Sequence, residues 1–385
     1  MLSKLIVLAI LAAIGAYVFR LTLYLDVHKR VYNHKPGPCR QIEGIMHGSE
    51  DIVVIESEGI ALISSGIFYM SPRAENVTGN IFLYDFNKSE YKVEPVTIKG
   101  DLDRSNFFPH GLSHFIVDGK IRLFVVVHSK QFEHSIMLFD YDKNTKTLTL
   151  IKIIKNDKFV RYVKNSIFTF YLLTSSYPLY LSDLMILSHY QWINSLLFYI
   201  TYNINYCYCL KRIFIEYWLI LSDYFNQDSH WLIRATSSPN GVIVDRKKEH
   251  LIVSHVNEEI IRVYKMAENY RSLSLVSEVP LLTSSDNFYI DEDGALWTGA
   301  HPVLKNVLYH LGYCDDLQHY GPSQVLRIVF SPDWLSWEVT EPYVDDGRQL
   351  SASSVAVHFR KQLLIGSVCR QLVHCDIIHR STITN

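Results

Sequence analysis

What this 385-residue chain most plainly lacks is an excess of either charge: 37 Lys and Arg stand against 39 Asp and Glu, for a net charge of −2. No electrostatic reason remains to expect a nucleic-acid partner. Its six cysteines include no C-x2-C paired with another at metal spacing, which excludes a zinc-finger pattern in spite of 17 histidines. Hydrophobic residues are not scarce, at 48% against 20% charged, so the composition is that of a globular chain of one or two domains. Glycine and alanine are missing altogether from residues 162–227, where 18 of 66 residues are Phe, Tyr or Trp. Residues 184–210 also lack Asp, Glu, Lys and Arg. This stretch reads either as a second membrane-associated segment or as translated non-coding sequence. Its Ile, Tyr, Phe, Asn, Leu and Ser come from AT-rich codons, whereas Gly and Ala do not.

The N-terminus sets the compartment. Lys4 is followed by an apolar run from Leu5 to Phe19, then Arg20 and further apolar residues to Leu25. No A-x-A cleavage site follows, which favours an uncleaved anchor helix over residues 1–25. The flanking His28, Lys29, Arg30 and Lys35 would hold the bulk of the chain in the cytosol. The sequons Asn76-Val-Thr and Asn87-Lys-Ser argue for the opposite, lumenal side. Localisation is therefore expected to be membrane-anchored with the body in the ER lumen or outside the cell, or secreted. Cys39 and Cys375 lie near the two ends of the body. In an oxidising compartment they could tie those ends together, or they could be two unrelated thiols.

From Asp51 onward the chain alternates short β-branched or aromatic runs with turn signals. Strands are expected at 52–55, 60–64, 80–86, 121–127 and 136–141. A second set is expected at 241–244, 251–255, 260–265, 287–290, 295–298, 324–330 and 363–368. The unit of strand, acidic turn and strand at Val53–Ile63 returns at Phe288–Trp297. Recurring four-strand units of roughly 40–50 residues are the signature of propeller blades. The chain then divides into an anchor (1–25), a first propeller part (36–161), the atypical insertion (162–227) and a second propeller part (228–380).

Four polar clusters fall at expected strand ends or turns: His47-Gly-Ser-Glu-Asp51, Phe108-Pro-His-Gly-Leu112, Pro239-Asn-Gly241 and Ser285-Asp-Asn287. Their carboxylate and amide oxygens suit calcium, which takes six to eight oxygen ligands. Glu50 and Asp51, if extended, point to opposite sides and could serve two ions. Each cluster singly is ordinary turn chemistry. Together with Ala61-x-Ile-Ser-Ser-Gly66, Leu123-Phe-Val-Val-Val-His128, Leu296-Trp-x-Gly-x-His-Pro302 and Leu363-Leu-Ile-Gly366, they resemble the paraoxonase/arylesterase family. The likeness runs along residues 39–160 and 236–377.

The resemblance implies an all-β, six-bladed β-propeller behind the N-terminal hydrophobic helix, with two Ca2+ ions in its tunnel. Glu50, Asn240, Asp286 and Asn287 would hold the catalytic ion, and Asp51 with the Leu112 carbonyl the structural one. His110 would be the general base and His128 its proton relay in the hydrolysis of an aryl ester or lactone. Cys39 and Cys375 would form the ring-closing disulfide. In the third blade the family's Asn-Asp ligand pair corresponds to Asn165-Ser166. Asn165 can supply an oxygen, but Ser166 lacks the carboxylate, and that weakens the structural ion. The family's free thiol before His-Pro is Ala300. The alternative is a non-catalytic, membrane-anchored propeller that binds or assists the assembly of membrane proteins.

Overall fold

Runs such as Ile52–Ile55 and Ile60–Ser65 carry apolar side chains on both faces. They are stable only when neighbouring sheets cover those faces, and a ring of stacked sheets does that. The computed structural model describes residues 2–67, 77–131, 133–155, 184–190, 217–223, 229–236, 239–314, 316 and 318–378.

Five blades of antiparallel strands follow one another in the chain. Blade A holds Ile52–Ile55, Ile60–Ser65, Asn80–Asp85 and Glu94–Pro95. Blade B holds Phe108–Val117, Lys120–His128, His134–Asp142 and Thr147–Ile154, with Thr97–Lys99 added in parallel at its outer edge. Blade C runs from Pro239–Val244 through His250–His255 and Ile260–Met266 to Leu273–Pro280. Blade D comprises Ser284–Ile290, Leu296–His301, Ser323–Phe330 and Trp337–Asp345, with the helix Leu304–Gly312 inserted after its second strand. Blade E joins Ser353–Phe359, Gln362–Ser367 and Leu372–Asp376 to the N-terminal strand Cys39–Gln41.

Sharing a blade between the two ends of the chain closes the ring, and it puts Cys39 directly opposite Cys375, where they form a disulfide. Ile63, Val357 and Phe359 from blades A and E are at most 1% exposed in one continuous core. Each such fully buried side chain contributes roughly 1.5–3 kcal/mol.

Six blades were expected, but five complete ones are present among the described residues. Within and just after the atypical segment lies a three-stranded sheet, Leu184–Tyr190, Tyr217–Asp223 and Ser229–Thr236, set against the innermost strand of blade C.

The innermost strands of blades B, C, D and E share one irregularity. Their pairing with the next strand skips between Pro109 and Leu112, Pro239 and Val242, Ser285 and Phe288, and Ser353 and Ala356. A bulge re-aims the side chains it releases. The residues released are His110, Asn240, Asp286, Asn287 and Ser354, together with Gly111, Gly241 and Val355. The Pro-His-Gly and Asp-Asn clusters expected at strand ends or turns are therefore strand bulges. Gly241 is required on steric grounds, because a Cβ there would lie 2.1 Å from the Asp286 carbonyl oxygen.

The N-terminal helix Leu2–Tyr24 carries an exposed stretch, Lys4–Tyr24, long and apolar enough to cross a membrane. Just beyond it Asp26, 1% exposed, accepts from the Leu304 amide at 3.0 Å. Lys29 pairs with Asp26 at 2.6 Å and donates to the Leu282 carbonyl at 2.6 Å, which ties the anchor to blade D.

Candidate active site

The bulged residues and the Glu50-Asp51 pair meet at one end of an axial cavity of about 510 Å3, bordered there by Asp51, Leu112 and Asn287. Glu50 and Asp51 precede the innermost strand of blade A. The Glu50 amide donates to the Ser64 carbonyl at 3.1 Å, and the Ser354 hydroxyl of blade E donates to the Glu50 carbonyl at 2.7 Å. Glu50 is thus held by two blades at once. Its Oε1 lies 3.1 Å from His110 Nε2 and accepts from Asn287 Nδ2 at 3.0 Å.

Three carboxylates are buried here, Glu50, Asp51 and Asp286, at 3%, 6% and 5% exposure. The ion-pair partners recorded for them are His110 for Glu50 and His301, at 3.1 Å, for Asp286. Burial pushes the Asp51 carboxyl up to about 7, and the neighbouring charge of Glu50 adds to the shift. Amide donation from Leu112 at 2.6 Å and Ile52 at 2.8 Å offsets only part of it. Such a concentration of buried negative charge calls for a counter-cation.

Three side-chain oxygens support that requirement. Glu50 Oε2, Asn240 Oδ1 and Asn287 Oδ1 are buried and have no hydrogen-bond partner among the described residues. Asn240 Nδ2 donates to Asp286 Oδ1, which joins blades C and D at this point. Glu50, Asn240, Asp286 and Asn287 therefore form a contiguous, oxygen-rich set whose unpartnered atoms fit a hard cation such as calcium. No group of three or more His, Cys, Asp and Glu among the described residues could hold a metal by itself, so the set depends on its two amide oxygens.

Beside these oxygens a row of imidazoles leads away from Glu50. His110 Nδ1 is 3.0 Å from His128 Nε2, and His128 Nδ1 is 2.6 Å from His134 Nδ1. Burial works against a charged His110, but the charge and hydrogen bond of Glu50, with Asp286 and Asp51 behind, outweigh it and raise its pKa. His128 is driven well below the usual histidine value by burial, then by His134 and His110. The row thus couples a proton-attracting imidazole to a neutral one.

The residues expected for the catalytic ion, Glu50, Asn240, Asp286 and Asn287, come together as one set, and His110 meets His128. Asp51 and Leu112 also meet, with the Leu112 amide donating to Asp51 Oδ2 at 2.6 Å. Asn165 and Asn76 lie outside the described residues. Asn87 is exposed at a turn, and its amide nitrogen donates to the Glu58 carbonyl at 3.0 Å.

His134, His301 and Ser354 were not anticipated. His134 had a readable signal, because it is the cross-strand partner of His128 across a tight hairpin. His301 stood in the quoted His-Pro motif, one residue past Ala300. The second disulfide, Cys314–Cys369, had no sequence signal, since spacing does not determine pairing.

Comparison with known proteins finds relatives along most of the chain. Mechanosensory abnormality protein 6 of Caenorhabditis elegans is 28% identical over 98% of this chain and 96% of its own. Serum paraoxonase/lactonase 3 of Mus musculus is 27% identical, with 96% of this chain and 97% of the relative covered. Human serum paraoxonase/arylesterase 1 is 26% identical over 88% of each chain. The family profile described as Arylesterase matches residues 31–377, and the chain belongs to that family.

Proposed function

We propose that this chain is a calcium-dependent hydrolase of aryl esters or lactones, working at the bulged end of the propeller axis. The observation that carries this reading is the trio of unpartnered buried oxygens on Glu50, Asn240 and Asn287 beside the His110–His128 pair. Bound calcium would polarise the substrate carbonyl and stabilise the oxyanion. His110, oriented by Glu50, takes the proton from the attacking water. His128 accepts the other side of that imidazole, and His134 holds His128 in turn. Asp51, with the Leu112 carbonyl, is assigned to a second, structural ion to which Asn165 would add an oxygen. The missing carboxylate at Ser166 makes that ion the weaker of the two.

The propeller is proposed to comprise residues 36–161 and 228–380 and to lie on the lumenal or extracellular side of a membrane crossed by the N-terminal helix. Two disulfides support an oxidising compartment. On that side the sequons at Asn76 and Asn87 would be open to glycosylation. The exposed apolar helix over Lys4–Tyr24 favours a second reading, a non-catalytic, membrane-anchored propeller that binds or assists the assembly of membrane proteins. Phenyl acetate and lactone hydrolysis, measured with and without a chelator, separates the two. Calcium-dependent turnover is expected, and its absence sinks the enzyme reading.

A further inference from the structure

Arg370 is an anomaly in its surroundings. It follows Cys369 in the loop after Gln362–Ser367 and is only 9% exposed. Its Nη2 donates to the His319 carbonyl at 3.4 Å and lies 3.5 Å from His310 Nδ1, whose own N–H is directed at that same carbonyl. Nε and Nη1 are buried with no hydrogen-bond partner among the described residues. The nearby carboxylate of Asp316 is engaged by His319 at 2.7 Å. Asp316 is close enough to interact with the guanidinium electrostatically but does not occupy its Nε–Nη1 edge, and unused buried donors call for an explanation.

The loop is built to hold this arginine in place. Its neighbour Gln371 sits in the left-handed region at φ 74°. The Gln371 carbonyl accepts from the Ser49 hydroxyl at 2.6 Å, and its side-chain oxygen accepts from the Ser351 amide at 2.9 Å. The disulfide Cys314–Cys369 fixes the loop to the segment after helix Leu304–Gly312, which carries His310. Ser49 immediately precedes Glu50, and the Ser367 amide donates to the Ser49 carbonyl at 3.1 Å. The clamped loop that carries Arg370 is therefore tied through Gln371 and Ser367 to Ser49, the neighbour of Glu50, and the Nε–Nη1 edge of the Arg370 fork is unused.

We propose that Arg370 is a specificity-determining residue whose unpartnered Nε–Nη1 edge receives a carboxylate, so that the substrates are esters or lactones bearing an anionic group. A planar guanidinium binds carboxylate through two parallel N–H···O bonds, a geometry lysine reproduces only as a point charge. The inference rests on the hydrolase reading for its chemistry and on the arginine alone for its charge selectivity. His310 is a positioning residue here: its Nδ1 lies 2.6 Å from the His319 carbonyl and it packs beside the guanidinium.

The test compares full-length wild type, Arg370→Met and Arg370→Lys on two esters of similar shape, phenyl hydrogen succinate (anionic) and phenyl levulinate (neutral). A second arm measures binding of 4-phenylbutyrate against 4-phenylbutan-1-ol, which requires no turnover. The expected result is that wild type favours the anionic ester in kcat/KM. That ratio should fall at least about 10-fold in Arg370→Met and be partly kept in Arg370→Lys. Thermal stability of Arg370→Met should be unchanged or higher, because an unpaired buried charge has gone. A wild type without the preference, or a preference surviving in Arg370→Met, overturns the proposal while leaving the hydrolase reading standing. If no ester is turned over, the binding arm decides. Carboxylate binding weakened about 10-fold in Arg370→Met supports the arginine site while the hydrolase reading falls. Equal binding in the two proteins, or none in wild type, overturns the site.

Discussion

Replacing His110 by glutamine removes the group on which the proposed chemistry turns. His110 is 3% exposed and spans Glu50 at 3.1 Å and His128 at 3.0 Å, so solvent cannot substitute for it. A positioned general base contributes about 10²–10⁴-fold to rate, and kcat should fall by that range, equivalent to roughly 3–5 kcal/mol. Glutamine can still donate to Glu50, so the oxygen set beside it should survive. The assay is the initial rate of phenyl acetate hydrolysis in saturating calcium, with bound calcium measured on the same sample. His128→Gln should cost less, because it supports the base without touching the water. His134→Leu should act mainly by taking from His128 Nδ1 its buried partner at 2.6 Å, a stability loss of about 1–3 kcal/mol. A His110→Gln protein with full calcium content and an undiminished rate refutes the assignment.

Three further outcomes are expected. Chelation should lower the thermal midpoint by several degrees, since calcium at about 100 times its Kd adds roughly 2.7 kcal/mol, a shift readable by scanning calorimetry. Cys375→Ser should destabilise the ring by about 2–5 kcal/mol, because the bond closes a separation of 336 residues; denaturant midpoints that match the parent protein would contradict this. Asn287→Leu removes an unpartnered oxygen and the amide that donates to Glu50. It should weaken calcium binding markedly in equilibrium dialysis while leaving the secondary structure intact by circular dichroism.

Much of the fold was legible because blade strands obey local rules. The β-branched runs at 52–55, 260–265 and 324–330 coincide with observed strands to within a residue at either end. Ring closure was legible only through the family resemblance, because Cys39 and Cys375 by themselves could equally have been two unrelated thiols. The bulges were not, because Pro-His-Gly and Asp-Asn are turn signals locally, and only tertiary pairing keeps them inside strands. That misreading fell on the site residues themselves, where irregular backbone turns His110, Asn240, Asp286 and Asn287 out of the regular ladder. His134 was legible in principle from the hairpin that pairs it with His128, but only once the register of that hairpin is drawn. The strands at Leu184–Tyr190 and Tyr217–Asp223 lie in a segment whose composition suggested no propeller strand. Arg370 carried no signal at all, because what marks it is an unused edge, visible only once its neighbours are known.

The central claim is that the oxygens gathered by Glu50, Asn240, Asp286 and Asn287 hold calcium. The most direct test is the metal content of the purified full-length protein after exchange into calcium-free buffer, measured by inductively coupled plasma mass spectrometry. The account predicts at least one calcium ion per chain in the parent protein, lost in the Glu50→Gln, Asn287→Leu double variant. A parent protein that binds no calcium, even when millimolar calcium is supplied before the exchange, contradicts it.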